Sequence, residues 1–158
     1  AFISLLEAEK LKLNIDYSGI EAYPISMDEI DQLNYPNQLN TLDKKDTFTK
    51  LHEVSWGFNH VITPNFQLQK EEKDFFKIEN KNTFNLIYFD AFGARVQPEL
   101  WTEAIFKIMY EALKNNGVLV TYSAKGSVRR AMQSVGFIVE RLEGPPGKRE
   151  MLRATKRT

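Results

Sequence analysis

The chain has no cysteine and only two histidines, eight glycines and six prolines in 158 residues. Without cysteine there is no disulfide, thiolate metal ligand or cysteine nucleophile, and the usage suits a reducing, cytoplasmic compartment. His52 and His60 are too few for a histidine-rich metal centre, so no metal is expected and both are read as surface or hairpin residues. Sparse glycine and proline exclude collagen-like and low-complexity chains. No apolar run reaches about 18 residues, so no membrane-spanning helix is expected. No basic start followed by an apolar stretch and a small-residue cleavage site opens the sequence, and no signal peptide is expected. A glycine-rich strand–turn–helix of the nucleotide-binding kind is missing too, because none of the glycines at 19, 57, 93, 117, 126, 136, 144 and 147 has that setting.

What is present describes a globular chain, with 42% hydrophobic and 12% aromatic residues. Its length suits one domain that buries about two-thirds of its unfolded surface. Lys+Arg and Asp+Glu balance at 21 each. The balance hides a split. Residues 1–124 carry 12 basic and 18 acidic side chains, a balance of −6, and residues 125–158 carry 9 basic and 3 acidic, a balance of +6. A basic C-terminal third points to an anionic partner, although a solvated helix face with a basic tail gives the same numbers.

Apolar periodicity predicts a helix over 1–13, a strand over 15–20 ending at Glu21, and a helix opened by the capping box Ser26–Glu29 and running to about Leu33. Residues 40–60 show no regular pattern. Val61–Leu68, interrupted by Pro64-Asn65, reads as a hairpin and 71–78 as a short helix. The apolar run Phe84–Phe89 fits a buried strand of a parallel sheet. Pro98 opens a helix whose apolar residues recur to Leu113, closed by Asn116-Gly117. Val118–Tyr122 is a second buried strand, Ser127 caps a helix to Val135, and two closing strands follow at 137–141 and 151–154. The alternation predicts an α/β, Rossmann-like doubly wound sheet, mostly parallel, with an antiparallel C-terminal strand pair.

Ligands of such sheets bind beyond the carboxyl ends of the strands. That rule selects Glu21, where an acid can take both hydroxyls of a nucleoside ribose, though a solvated Glu before a turn would look the same. It selects Asp90, ending the 84–89 strand before Ala91-Phe92-Gly93, as a crevice carboxylate that is costly unless paired. It also selects Tyr122–Gly126, which leads into a helix N-terminus and can receive an anion.

Five segments then occur in one order: Phe89-Asp-Ala-Phe92 with Gln97-Pro-Glu-Leu-Trp-Thr102, Gly117–Gly126, Val128-Arg-Arg130, Gly136-Phe137, and Gly147-Lys-Arg-Glu-Met151. The series resembles the MnmC/MnmD-type methyltransferases, which act on the wobble uridine of tRNA. It is dense over 84–154 and thinner over 1–35 and 61–80. The resemblance implies a class I methyltransferase fold and transfer of a methyl group from S-adenosylmethionine to the exocyclic amine of 5-aminomethyl-2-thiouridine. It implies that Asp90 lies beside the methyl group and the acceptor amine, that Phe92 stacks on the uracil, and that Glu21 binds the ribose. Glu71 or Glu72 would stand near the adenine. Lys125, Arg129, Arg130, Lys148 and Arg149 would contact tRNA phosphates.

Two departures accompany the resemblance. Gly93-Ala94 stands where the family has Ala-Pro. The first strand and glycine-rich motif are not found and are expected just before Ala1. The chain therefore reads as a single methyltransferase-like domain over 1–158, truncated at its N-terminus and without the FAD-dependent oxidase domain of related proteins. Two other readings stay open: a nucleotide-dependent oxidoreductase on a similar fold, and a non-catalytic module that binds RNA or protein through the basic third.

Overall fold

A computed structural model of the chain describes residues 1–144, 146–147 and 149–157, and shows two compact units, Ala1–Asp74 and Phe75–Thr158.

In the first unit, α1 (Phe2–Leu11) buries Phe2, Leu5 and Ala8 at a helical spacing, and ends where Lys12 turns left-handed at φ 56°. The Lys12 amide donates back to Ala8 O and Glu9 O, satisfying carbonyls the last turn would leave open. A three-stranded sheet follows from β1 (Ile15–Glu21), β2 (Asn59–Thr63) and β3 (Phe66–Glu72), in the order β1-β3-β2. The β2–β3 pair is the expected hairpin, and β3 runs parallel to β1. Phe66 and Leu68 point into the core, where the Tyr17 ring stacks on Phe66 at 5.7 Å.

The capping box forms: Ser26 N donates to Glu29 Oε2 at 2.8 Å and Glu29 N to Ser26 Oγ at 3.3 Å. Its helix, α2 (Met27–Ile30), is a single turn, and α3 (Tyr35–Gln38) restarts with Pro36 in its first turn. Two expectations change here. The patternless 40–60 stretch contains α4 (Lys45–Glu53), which sends Phe48 and Leu51 into the core; the Phe48 ring meets Phe2 edge-on at 5.2 Å. The helix expected over 71–78 is absent, because Glu71 and Glu72 complete the pairing of β3 with β1 and only Phe75–Lys77 forms a 3-10 turn. Lys70, on β3, is buried, and its Nζ donates to His52 O at the end of α4 and lies 5.0 Å over the Trp56 ring. Burial pushes its pKa down.

The second unit has the sheet order β4-β5-β7-β6, from β4 (Phe84–Tyr88), β5 (Leu113–Thr121), β6 (Phe137–Glu143) and β7 (Glu150–Lys156). Its helices are α5 (Glu103–Ala112) and α6 (Gly126–Ser134). β4 and β5 are parallel and joined through α5, whose Ile105, Phe106, Met109 and Ala112 fill the core with Leu119, Met132 and Leu152. The closing pair β6–β7 is antiparallel as expected, and β7 also pairs antiparallel with β5.

Four details depart from the sequence reading. β4 is an edge strand, so Leu86 and Tyr88 are 44% and 57% exposed rather than buried. The helix expected from Pro98 breaks at Thr102, whose ψ of 165° is extended and whose hydroxyl donates to Glu99 O. Asn116-Gly117 ends no helix: it lies inside β5, where the register jumps from Phe84–Leu113 to Leu86–Val118. At Gly117 a Cβ would lie 2.8 Å from Lys114 O and 3.1 Å from Phe84 O, so only glycine lets these backbones approach. Last, α6 starts at Gly126 after Lys125, one residue before the cap assigned to Ser127.

Candidate functional site

In the second unit the chain leaves β4 still extended, so burial alternates: Phe89 and Ala91 face the core, while Asp90 and Phe92 face outward. Asp90 is exposed and carries no desolvation cost, which corrects the crevice argument. Among the described residues its carboxylate has no hydrogen-bond or ion-pair partner. Phe92 is 69% exposed. The backbone beneath them is held from the core side. Tyr122 Oη donates to Ala91 O at 2.8 Å, Trp101 Nε1 donates to Phe92 O at 2.7 Å, and Val96 N donates to Gly93 O at 2.7 Å. Burial and then the Asp90 charge push the Tyr122 phenol above its ordinary pKa, so it stays a protonated donor. The sequence reading placed Trp101 on a helix and Tyr122 at the head of a candidate anion-binding loop, and gave neither of them this part in holding the 91–93 backbone.

In the first unit, Glu21 ends β1 and its Oε1 accepts from Tyr23 N at 2.9 Å, which leaves Oε2 without a partner among the described residues. The β1–β3 register sets Glu72 opposite Glu21 and Glu71 opposite Ile20. Partners at one register of a parallel pair share a face, so Glu72 lies on the Glu21 face and Glu71 on the other. Glu71 is ion-paired with Lys73, whose amide also donates to Glu21 O. The choice between Glu71 and Glu72 that the sequence left open therefore favours Glu72 as the acid beside Glu21.

The basic residues divide into two sets. Arg153 pairs with Glu140, directly opposite on β6, and Arg141 pairs with Glu150. Lys156 is buried, donating to Leu113 O at 2.7 Å and Asn82 Oδ1 at 3.0 Å. These three serve the fold. Lys125, Arg130 and Arg149 are exposed, while Arg129 is half-buried with an Nε that has no partner among the described residues. Lys148 lies outside the described residues. His60 sits on the hairpin, its Nε2 at 3.1 Å from Ser55 Oγ. Among the described residues no group of three or more His, Asp or Glu side chains is placed to hold a metal, and no helix is long and apolar enough to cross a membrane.

A family model described as S-adenosyl-L-methionine-dependent methyltransferase matches residues 66–157, more than half of the chain. The chain belongs to this methyltransferase family. Its cofactor is S-adenosyl-L-methionine. Over 96% of its length the chain is 27% identical to the tRNA 5-methylaminomethyl-2-thiouridine biosynthesis bifunctional protein MnmC of Actinobacillus pleuropneumoniae, and it covers 23% of that protein. The fold matches that of MnmC2 from Aquifex aeolicus with a TM-score of 0.72 at 22% identity, over 99% of this chain and 48% of the other. A methyltransferase from Methanosarcina mazei matches with a TM-score of 0.53 at 13% identity, over 98% of this chain and 86% of that one. The chain thus spans about a quarter of the curated relative and about half of the Aquifex chain. The α/β class I methyltransferase reading of the sequence is borne out, but the described strands form two mixed sheets with two parallel and three antiparallel pairings, rather than one mostly parallel sheet.

The residues present suit the cofactor. Ribose hydroxyls and an adenine amine are hydrogen-bond donors, and the Glu21–Glu72 face is a set of acceptors on which Glu21 Oε2 is unused among the described residues.

Proposed function

We propose that the protein methylates the aminomethyl nitrogen of 5-aminomethyl-2-thiouridine at the wobble position of tRNA, acting in the cytoplasm. One observation carries the reading: an exposed carboxylate, Asp90, with no hydrogen-bond or ion-pair partner among the described residues, stands at the carboxyl end of a parallel strand beside an exposed aromatic, Phe92. The MnmC likeness along the chain supplies the substrate class.

When bound, S-adenosyl-L-methionine supplies an electrophilic methyl group on a sulfonium sulfur. The residues have little covalent chemistry to do, because an in-line displacement by a neutral amine depends mainly on alignment. Asp90 accepts an N–H of the acceptor amine, which aims the nitrogen lone pair at the methyl carbon. An amine that gains a methyl group would become cationic, and Asp90 would be placed to take the proton it sheds. Phe92 offers a flat apolar face on which a pyrimidine can stack. Glu21 and Glu72 would hold the nucleoside end of the cofactor. Lys125, Arg129, Arg130, Lys148 and Arg149 meet tRNA phosphates. Both units belong to one methyltransferase domain in this proposal.

The test is transfer of labelled methyl from S-adenosyl-L-methionine to tRNA bearing the aminomethyl group, with tRNA lacking it as control. Label should enter the first tRNA alone, and Asp90→Ala should lose about 100-fold or more in rate, the range of a positioned acid–base group. Binding of tRNA without label transfer would favour a non-catalytic RNA-binding module. An Asp90→Ala protein at the parental rate would remove the role given to that residue.

A further inference from the structure

We infer that Trp101 and Tyr122 are positioning residues for methyl transfer, acting by pinning the two carbonyls that follow Asp90. The inference rests on the role proposed for Asp90 and goes beyond it to the residues that set its geometry.

Asp90 and Phe92 project from a segment that has left the sheet. Phe89 N still bonds Val120 O at 2.9 Å, the last backbone hydrogen bond of this segment to β5 among the described residues. Beyond that point no strand pairing holds the backbone, and an exposed loop of this kind is ordinarily mobile. Here successive carbonyls are each occupied, Ala91 O by the Tyr122 hydroxyl, Phe92 O by the Trp101 indole and Gly93 O by the amides of Val96 and Gln97. The first two donors come from rigid places. Tyr122 directly follows β5, and Trp101 closes the 3-10 turn before α5.

Their rings interlock, Trp101 lying 5.9 Å from Tyr122, 5.3 Å from Phe89 and 6.4 Å from Phe106. A packed cluster fixes the ring planes, and the planes fix the direction of the O–H and N–H bonds. Buried aromatic donors usually find a partner, so satisfaction alone would not single these two out. Their targets do. The accepting carbonyls lie in the Ala91–Phe92 and Phe92–Gly93 peptide planes, which flank Phe92 and adjoin Asp90, so a shift of either plane turns the Phe92 ring or displaces the neighbouring Asp90 carboxylate. Displacement by about 1 Å at a reacting centre costs about a hundredfold in rate. The Gly93-Ala94 sequence, which departs from Ala-Pro, gives this loop no proline stiffening. Side-chain clamps replace it.

The experiment removes each donor and keeps an aromatic ring at each position. Tyr122→Phe deletes one oxygen, and Trp101→Phe deletes the indole N–H in a second, independent variant. Both are made in the full protein and compared with Asp90→Ala. Steady-state methylation of aminomethyl-bearing tRNA should show kcat lowered about 10- to 100-fold, with KM for tRNA and for cofactor within about threefold. Amide exchange of Phe92 to Val96 should quicken while that of β5 stays protected. Adding Asp90→Ala to either variant should cost less than it does alone, because a displaced carboxylate has already lost its effect.

Parental kcat with unchanged loop exchange in both variants would overturn the inference. So would losses that track only the folded fraction or that multiply independently with Asp90→Ala. An inactive Asp90→Ala protein beside fully active clamp variants would sink this inference alone. An active Asp90→Ala protein would instead sink the reading on which it rests.

Discussion

Glu21 and Glu72 stand at one register, on one face, at the ends of the parallel neighbours β1 and β3. Like charges in that relation disfavour each other, and the protein neutralises neither among its described residues. Hydrogen-bond donors on a ligand relieve such a pair, and ribose hydroxyls with an adenine amine fit the need.

Glu21→Ala should therefore weaken S-adenosyl-L-methionine binding about 10- to 100-fold by calorimetry, the range for a lost hydrogen bond to a charged group. Glu72→Ala should weaken it in the same direction. Glu71→Ala should change affinity by less than about threefold, because its carboxylate pairs with Lys73 at a partly exposed site where such pairs contribute little. A larger loss at Glu71 than at Glu72 would reverse the assignment.

Among the described residues no ion pair engages Lys125, Arg129, Arg130 or Arg149. Replacing all four by Gln should weaken tRNA binding at low salt and flatten the slope of log K against log salt by up to about three units. Replacing Arg141 and Arg153, which pair with Glu150 and Glu140, should leave the slope unchanged. An unaltered slope in the fourfold variant would remove the proposed phosphate surface.

Gly117→Ala should destabilise the second unit by about 1–3 kcal/mol, the usual cost of forcing atoms into a filled space. The added methyl would meet the Lys114 and Phe84 carbonyls, which are backbone and cannot swing aside. Phe106→Ala should cost about 3–5 kcal/mol, because the ring is wholly buried. Denaturant midpoints measure both, and a neutral Gly117→Ala would show that the β5 irregularity relaxes.

Stability should also fall in mild acid. Burial, then the Lys70 charge and the amino terminus, hold the His52 pKa below its ordinary value of 6.5. The unfolded chain then takes up the proton more readily, so the contribution present above about pH 6.5 is lost as pH falls through the lowered folded value. Melting between about pH 7 and 5 should show the decline, and His52→Gln should flatten it.

Much of the second unit was legible from its residues. The apolar spacing of Ile105, Phe106, Met109 and Ala112 places α5, and the run Val118–Val120 places β5, because burial on one face writes itself into a sequence at a fixed period. The capping box of α2 and the hairpin at Pro64-Asn65 were readable for a related reason: turn and cap chemistry is local. α4 was hidden. It buries only Phe48 and Leu51 on a polar helix, and a stripe that narrow is indistinguishable from chance until β3 and α1 are in place to receive it.

The sequence by itself determined which residues end the strands, and so offered Glu21 and Asp90 as ligand-facing acids. Tertiary structure alone decided what surrounds them. Strand register separated Glu72 from Glu71, since a one-residue offset reverses the face and no local pattern records it. The edge position of β4 exposed Leu86 and Tyr88, because an apolar strand is buried only where neighbours cover it. The hold of Trp101 and Tyr122 on the Asp90–Phe92 loop joins residues 9 and 31 positions apart, a pairing that exists only once the core has packed their rings.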